Sequence, residues 1–195
     1  MVFATNNEGK LRELKEIFGD KNIISLKEIG VNIDVVEDQN SFYGNARKKA
    51  IEVFNLVKIP VIADDSGLCI NALNDFPGVM THRFLGTNKT DKEINDTLIK
   101  ACSNLKDRSA KVVCCLVYYD GVNEVVETGE INGNITLEAR GINGFGFDPI
   151  FELDDGRTLA ELDSDTKNIC SARYLAAKKL KKSLNKLDKN LKKKL

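Results

Sequence analysis

Residues 2–18 read VFATNNEGKLRELKEIF. Val2, Phe3 and Ala4 form a short apolar run that suits a buried strand. A polar turn, Thr5-Asn6-Asn7-Glu8-Gly9, follows it. Leu11, Leu14 and Phe18 then recur at helical spacing and fall on one face. Strand, loop and helix in that order, from the first residues onward, point to an α/β fold.

The alternation continues outward from that unit. A strand is expected near Ile23-Ile24. Val31, Ile33 and Val35 alternate with Asn32 and Asp34, which predicts a half-buried strand. Phe42, Ala46, Ala50, Val53 and Phe54 predict a helix over 41–56. Pro60 to Ala63 reads as a compact buried strand ending in Asp64-Asp65-Ser66-Gly67, with 68–73 as its continuation. Further on come a helix over 91–105, a strong strand over 112–119, one or two strands over 124–135 and a weaker strand over 158–162. A last helix is expected to start near Asp165, from about 166 onward, and run to the end. The expected architecture is a mixed β-sheet flanked by helices, with a cleft where loops from both halves meet.

The chain has 195 residues, 42% hydrophobic and 30% charged, enough for one sizeable domain or two lobes sharing a core. No stretch approaches the roughly 20 apolar residues of a membrane helix, and the start has no secretory-signal pattern, so the expected location is cytoplasmic, with no membrane partner. Net charge is zero, but 9 of the 29 basic residues and only 1 of the 29 acidic ones lie in 178–195. The remainder holds 20 basic and 28 acidic residues, a balance that disfavours stable nucleic-acid binding and suits carboxylates around a divalent metal. Ala177, Leu180, Leu184, Leu187 and Leu191 mark the inward stripe of an amphipathic helix whose lysines are its solvated face. The five cysteines form no C-x-x-C pair and there is one His, so a zinc site is not expected and the thiols read as reduced and mostly buried.

Five stretches could carry chemistry. Thr5-Asn6-Asn7-Glu8-Gly9-Lys10 joins a strand to a helix, where free backbone N–H groups and a lysine attract phosphate. The same residues also fit an ordinary helix cap by Asn6 or Asn7. In Ala63-Asp64-Asp65-Ser66-Gly67, strand alternation sends one Asp to the site and leaves the other to anchor the loop. A carboxylate there can hold Mg²⁺ or deprotonate a water. Glu37, after the alternating segment, is a second candidate metal carboxylate. Gly144-Phe145-Gly146-Phe147-Asp148-Pro149 interleaves aromatics with glycines, which suits a base-stacking loop or a core pair beside a tight turn. Lys167, Ser171 and Arg173 gather cations near a helix start, with Asp165 or Thr166 as the cap. His82 reads as a surface or satisfied residue, and Arg83 stays open.

In this order, the five stretches resemble the non-standard purine nucleoside triphosphate pyrophosphatases, the inosine/xanthosine triphosphatase or HAM1-like family, over essentially the whole chain. Thr5 to Lys10 is similar to the family's T/S-x-N-x-x-K loop. Glu37 with Ser41-Phe42 and Asn45-Ala46 resembles E-x-G-x-T-F-x-E-N-A. Ala63 to Leu68 matches A-D-D-S-G-L, and Pro77-Gly78-Val79 continues that block. Gly144 to Pro149 is similar to G-F-G-Y-D-P, and Lys167 to Arg173 to K-x-x-I-S-H-R.

The resemblance implies a single domain over 1–195, elongated, with two lobes around a central substrate cleft. It implies cleavage of ITP, dITP and XTP to the monophosphate and pyrophosphate, with Mg²⁺, usually as a homodimer. Asp65 would be the general base and a metal ligand, and Glu37 a second metal ligand. Thr5, Asn6, Asn7, Glu8, Gly9 and Lys10 would bind the triphosphate. Ser66, Phe145, Gly146, Phe147, Asp148, Lys167 and Arg173 would complete the substrate site. Three departures from the pattern are Ala172 for His, Gly44 for Glu and Gln39 for Gly. They motivate two alternatives, an altered base preference or a nucleotide-binding module without turnover.

Overall fold

The start of the first helix is set by capping. Asn7 sits in extended backbone, and its Oδ1 accepts the Lys10 N–H at 3.1 Å, so α1 (Glu8–Phe18) begins one residue later. Of the two capping candidates in the loop, Asn7 is the one used. The Asn6 side chain instead donates to the Ile33 carbonyl at 3.2 Å. The computed structural model describes residues 1–80 and 89–193. His82 and Arg83 lie outside the described residues.

The other elements follow in chain order: β1 (Val2–Phe3), β2 (Ile24–Ser25), α2 (Phe42–Val57), β3 (Val61–Ile70), β4 (Phe76–Pro77), α3 (Asp91–Cys102), β5 (Ser109–Tyr119), β6 (Glu124–Ile135), β7 (Phe151–Glu152), α4 (Ser164–Cys170) and α5 (Ala172–Lys192). The strands join in the order β2-β1-β3-β5-β6-β7, with β4 paired to β3. β1 runs parallel to both β2 and β3, whereas β4 on β3 and β7 on β6 are antiparallel. The sheet is therefore mixed, as the strand–helix alternation followed by later strands suggested.

The chain divides into two compact units. The first comprises Met1–Asp65, Cys114–Gly129 and Ala172–Leu195, and the second Ser66–Val113 and Glu130–Ser171. In the first, Ala46, Ala50 and Val53 of α2 pack on Val2, Val61, Ala63, Cys115 and Val117 of the strands. In the second, Leu98 and Cys102 of α3 pack with Leu68, Ile70, Ile135, Ile150 and Phe151. All five cysteines are free thiols, four of them buried and Cys170 half-buried. Among the described residues no helix is long and apolar enough to cross a membrane.

The structure departs from the sequence expectations in six respects. Residues 31–39 carry no regular secondary structure, although exposure does alternate from Val31 to Val35. The alternation reports one buried face, and Val35 reaches the first core, without any strand partner to make a ladder. Strand β3 does not stop at the acids but carries Asp64 and Asp65 in mid-strand, both buried. Residues 158–162 pair only at Thr158, through an isolated antiparallel bridge to Glu152, and then turn into a 3₁₀ helix, Leu159–Glu161, started by a reciprocal capping box between Thr158 and Glu161. The expected C-terminal helix is two helices, broken at Ser171, whose backbone is extended. The cap of the first is Asp163, whose Oδ1 accepts the Thr166 N–H at 2.8 Å, and not Asp165 or Thr166. The leucine stripe of α5 fades toward its end: Leu180 is fully buried, whereas Leu184 and Leu187 are half-buried.

Gly129 of β6 lets α5 close on the sheet. A Cβ there would run into the Ala172 carbonyl and the Ala176 amide nitrogen, both backbone. Gly129→Ala is expected to lower unfolding stability by about 2–4 kcal/mol, since backbone cannot step aside as a side-chain tip can. Urea denaturation followed by circular dichroism measures this, and a loss under half that size would mean that α5 shifts freely.

Candidate active site

The first unit gathers charge around the middle of β3. Asp64 is 1% exposed, and its Oδ2 takes both the Lys10 ammonium at 3.0 Å and a guanidinium N–H of Arg173 at 3.1 Å. The other arm of Arg173 pairs with Glu13 Oε2, a buried acid on α1. Burial by itself would raise the Asp64 pKa, but the charges of Lys10, Arg173 and Lys49 outweigh it and hold the carboxyl well below its usual range. Burial likewise opposes the Arg173 cation, but Asp64, Cys114 and Glu13 together more than compensate and raise its pKa. Arg173, expected in the substrate site, is committed here to two carboxylates.

Asp65 follows on the same strand and has the opposite electrostatics. Burial pushes its pKa up to about 6, Lys49 and the Asn45 hydrogen bond pull it down, and the neighbouring Glu37 and Asp64 charges raise it again. Asn45 Nδ2 donates to Asp65 Oδ2 at 2.9 Å, while Asn45 Oδ1 accepts the Gln39 backbone N–H at 2.9 Å. The amide is thus oriented from one side and orients the carboxylate on the other. Lys49, one turn along α2 from Asn45, pairs with Glu37 at 2.7 Å. Burial works against its ammonium, but Asp64, Glu37 and Asp65 together hold its pKa above the ordinary lysine value.

Glu37 lies close enough for its charge to raise the Asp65 pKa, and carboxylate oxygens are the hard donors a divalent cation takes. The residues present therefore fit Mg²⁺. Among the described residues there is no group of three or more His, Cys, Asp or Glu that could hold a metal. Asp65 and Glu37 would supply only part of a shell, leaving the rest to water and substrate oxygens, as is usual for Mg²⁺.

The Thr5–Lys10 loop is tightly organised. Thr5 Oγ1 accepts the Asn7 N–H at 3.1 Å, and Asn7 takes that of Lys10. Helix geometry leaves the first-turn N–H groups of Glu8 and Gly9 as those a ligand could use.

The second unit holds the other expected residues. Asp148 Oδ2 accepts the Lys167 ammonium at 2.6 Å and the Phe145 N–H at 2.7 Å. Lys167 is 7% exposed, not on a solvated face, and its Nζ lies 4.5 Å from the centre of the Phe145 ring. Phe147 packs against the second core, so the two aromatics divide into a half-buried ring beside a cation and a core contact. Ser66 lies half-buried on β3.

Three residues of this arrangement escape a reading of motifs: Glu13, Lys49 and Asn45 in its role toward Asp65. Lys49 and Asn45 fall on the otherwise apolar stripe of α2 that carries Ala46, Ala50 and Val53, and a polar pair at helical spacing on a core face is the available signal. Glu13 gives no signal, because its partner is 160 residues away.

The architecture is that of an α/β protein with its charged site in the middle of a buried strand. A family model described as "Ham1 family" matches residues 1–183, and the chain belongs to that family. A protein of Clostridium tetani (strain Massachusetts / E88) named dITP/XTP pyrophosphatase is 40% identical over 191 residues, covering 94% of this chain and 95% of its own. One of Aquifex aeolicus (strain VF5) with the same name is 39% identical over 191 residues, covering 92% and 94%. Among solved structures, a HAM1 protein from Coxiella burnetii superposes with a TM-score of 0.86 at 37% identity, covering 95% of this chain and 98% of the other. The Staphylococcus aureus Ham1 protein does so with 0.85 at 35% identity, covering 94% and 97%.

Two of the departures from the family pattern prove to be coupled. A Cβ at Gly44 would lie 2.8 Å from the Cβ of Gln39, so the side chain at 39 fills the space a residue at 44 needs. Gly44→Glu alone is expected to cost about 1–3 kcal/mol, and Gln39→Gly with Gly44→Glu to recover most of it. A double-mutant cycle in urea measures the coupling, and additive effects would refute it.

The raised pKa of Asp65 also has a sign. The folded value near 6 lies above the unfolded one, so in metal-free protein the Asp65 charge costs stability above pH 6, and that cost is relieved as the pH falls toward about 4. Asp65→Asn should therefore stabilise metal-free protein at neutral pH by about 3 kcal/mol at most. Thermal melts at pH 7.5 with chelator check this, and an unchanged or lower midpoint would contradict it.

Proposed function

We propose that this protein is a nucleoside triphosphate pyrophosphohydrolase that cleaves ITP, dITP and XTP to the monophosphate and pyrophosphate, and so removes deaminated purine nucleotides from the pool. The observation that carries the reading is Asp65: a buried carboxylate, its pKa near 6, held by Asn45 beside Glu37 and Lys49. The names of relatives about 40% identical over nearly the whole chain support the substrate class.

The residues account for the chemistry as follows. Asp65 takes a proton from a water as its oxygen bonds to the α-phosphorus, and the bond from that phosphorus to the bridging oxygen breaks, releasing pyrophosphate. Lys49 and Lys10 set positive charge beside phosphate, and the first turn of α1 offers its N–H groups. Mg²⁺, when held by Asp65 and Glu37, would neutralise phosphate charge. Phe145 offers a ring face to the base, with Lys167 and Asp148 holding the loop. The same reading includes a cytoplasmic homodimer, which sedimentation velocity would report as a mass of two chains.

Ala172, where the family pattern has His, favours a second reading with the same chemistry and a changed base preference. Pyrophosphate release with Mg²⁺ from ITP and XTP, against ATP, GTP and pyrimidine triphosphates, separates the two. A kcat/KM at least ~100-fold higher for ITP and XTP is expected, and Asp65→Asn should lower kcat by at least ~1000-fold with nucleotide binding retained. Comparable rates on all bases would leave only the second reading. Full activity of the Asp65→Asn variant would remove Asp65 as the base.

A further inference from the structure

Helix α3 takes no part in the site described so far, yet two of its side chains hold the aromatic loop. The helix is fixed at its start by a full capping box between Thr90 and Glu93. Asp91 is its first residue, and Asn95 lies one turn further on the same face. Asp91 Oδ2 accepts the Gly146 N–H at 2.8 Å, and Asn95 Nδ2 donates to the Gly146 carbonyl at 2.9 Å. Both backbone polar groups of one glycine are thus bound by side chains of one helix.

Gly146 has φ +62, a conformation that L side chains rarely adopt. A Cβ there would meet nothing within 4 Å, so the glycine serves the backbone conformation and not a close approach. An ungripped glycine samples both hands freely, and a change at Gly146 redirects Phe145 relative to Phe147, which is half-buried against the second core. Asn95 supplies an independent sign. It is 3% exposed, and among the described residues its Oδ1 has no hydrogen-bond partner. An apolar residue would fill the same volume without burying an unmatched acceptor, so packing alone does not account for an amide at this place.

We infer that Asp91 and Asn95 are positioning residues for base recognition: they lock Gly146 in its left-handed conformation so that Phe145 presents its ring to the purine of a bound nucleoside triphosphate. This rests on the reading of 144–148 as the base-binding loop. The chemistry at the α-phosphorus belongs to Asp65, so loosening the loop weakens binding of the base and leaves the bond-breaking step alone. A loop held in advance has less freedom to lose when the nucleotide arrives.

The test uses full-length protein with Mg²⁺ and ITP, with inorganic tripolyphosphate as a competitive inhibitor that has no base. Asn95→Leu and Asp91→Ala should each raise KM for ITP about tenfold, with kcat within about threefold and the Ki of tripolyphosphate unchanged. Asp91→Asn, whose amide oxygen still accepts the Gly146 N–H, should restore the wild-type KM. A purely structural role would move kcat and the tripolyphosphate Ki as well, and that outcome overturns the inference. So does an unchanged KM in both variants when Phe145→Ala raises it, which leaves the base-loop reading intact. If Phe145→Ala itself has no effect on KM, the base-loop reading fails and the inference with it. Asp91 is exposed, so Asp91→Ala carries the test even if Asn95→Leu does not fold.

Discussion

A single buried carboxylate, Asp64, organises the first compact unit. Lys10 from α1 and Arg173 from α5 converge on its Oδ2, and Glu13 holds the other arm of the guanidinium. The three anchoring segments come from the start, the middle and the end of the chain. Ion pairs this buried are weak evidence of net stability, because desolvation offsets most of their attraction. Their effect is directional: α1, β3 and α5 must meet in one register, or a charge is left buried and alone. The small residue at 129 lets that register form, since Gly129 allows the backbone of α5 to come against β6.

With Asp64 held by Lys10 and Arg173, Asp65 is the carboxyl of the pair whose pKa is raised. The two residues are adjacent on one strand, and strand geometry alone sends their side chains to opposite faces. One face offers Lys10 and Arg173, and the carboxyl is held well below its usual range. On the other, burial together with the charges of Glu37 and Asp64 outweighs Lys49 and the Asn45 hydrogen bond, and the carboxyl rises to about 6. Titratable groups of the same type pushed apart by their surroundings mark a division of labour between structure and chemistry. Burial of Asp65 creates that division, and Asn45 and Lys49 of α2, at one-turn spacing on a face otherwise used for packing, temper it.

The departures from the family pattern look different once their neighbours are known. Gln39 and Gly44 share one space, since the Gln39 side chain stands where a side chain at 44 would begin. The Gln39 backbone N–H still reaches Asn45, so the hold on Asp65 survives the exchange. Ala172 is buried at the start of α5, next to Arg173, which turns toward Asp64 and Glu13.

The sequence by itself determined the α/β class, the helices expected over 41–56 and 91–105, the long strands and the stretches that supply charged groups. Each of these is a local pattern, such as a capping residue, a 3.6- or 2-residue period, or a glycine beside an aromatic, and local patterns survive without knowledge of partners. The tertiary structure decided what the local signal left ambiguous. Alternation over 31–35 marked a buried face but not a strand, because a ladder needs a second chain segment that periodicity does not see. The strand expected over 158–162 shrank to a single bridge at Thr158 before a capped turn, and Ser171 divided one expected helix into two. Most of all, the roles of Arg173, Glu13 and Lys49 depended on oppositely charged partners 12 to 160 residues away. The charge of a side chain can be read from the sequence, but the charge it meets is set by the fold, and at a buried site the second determines what the first can do.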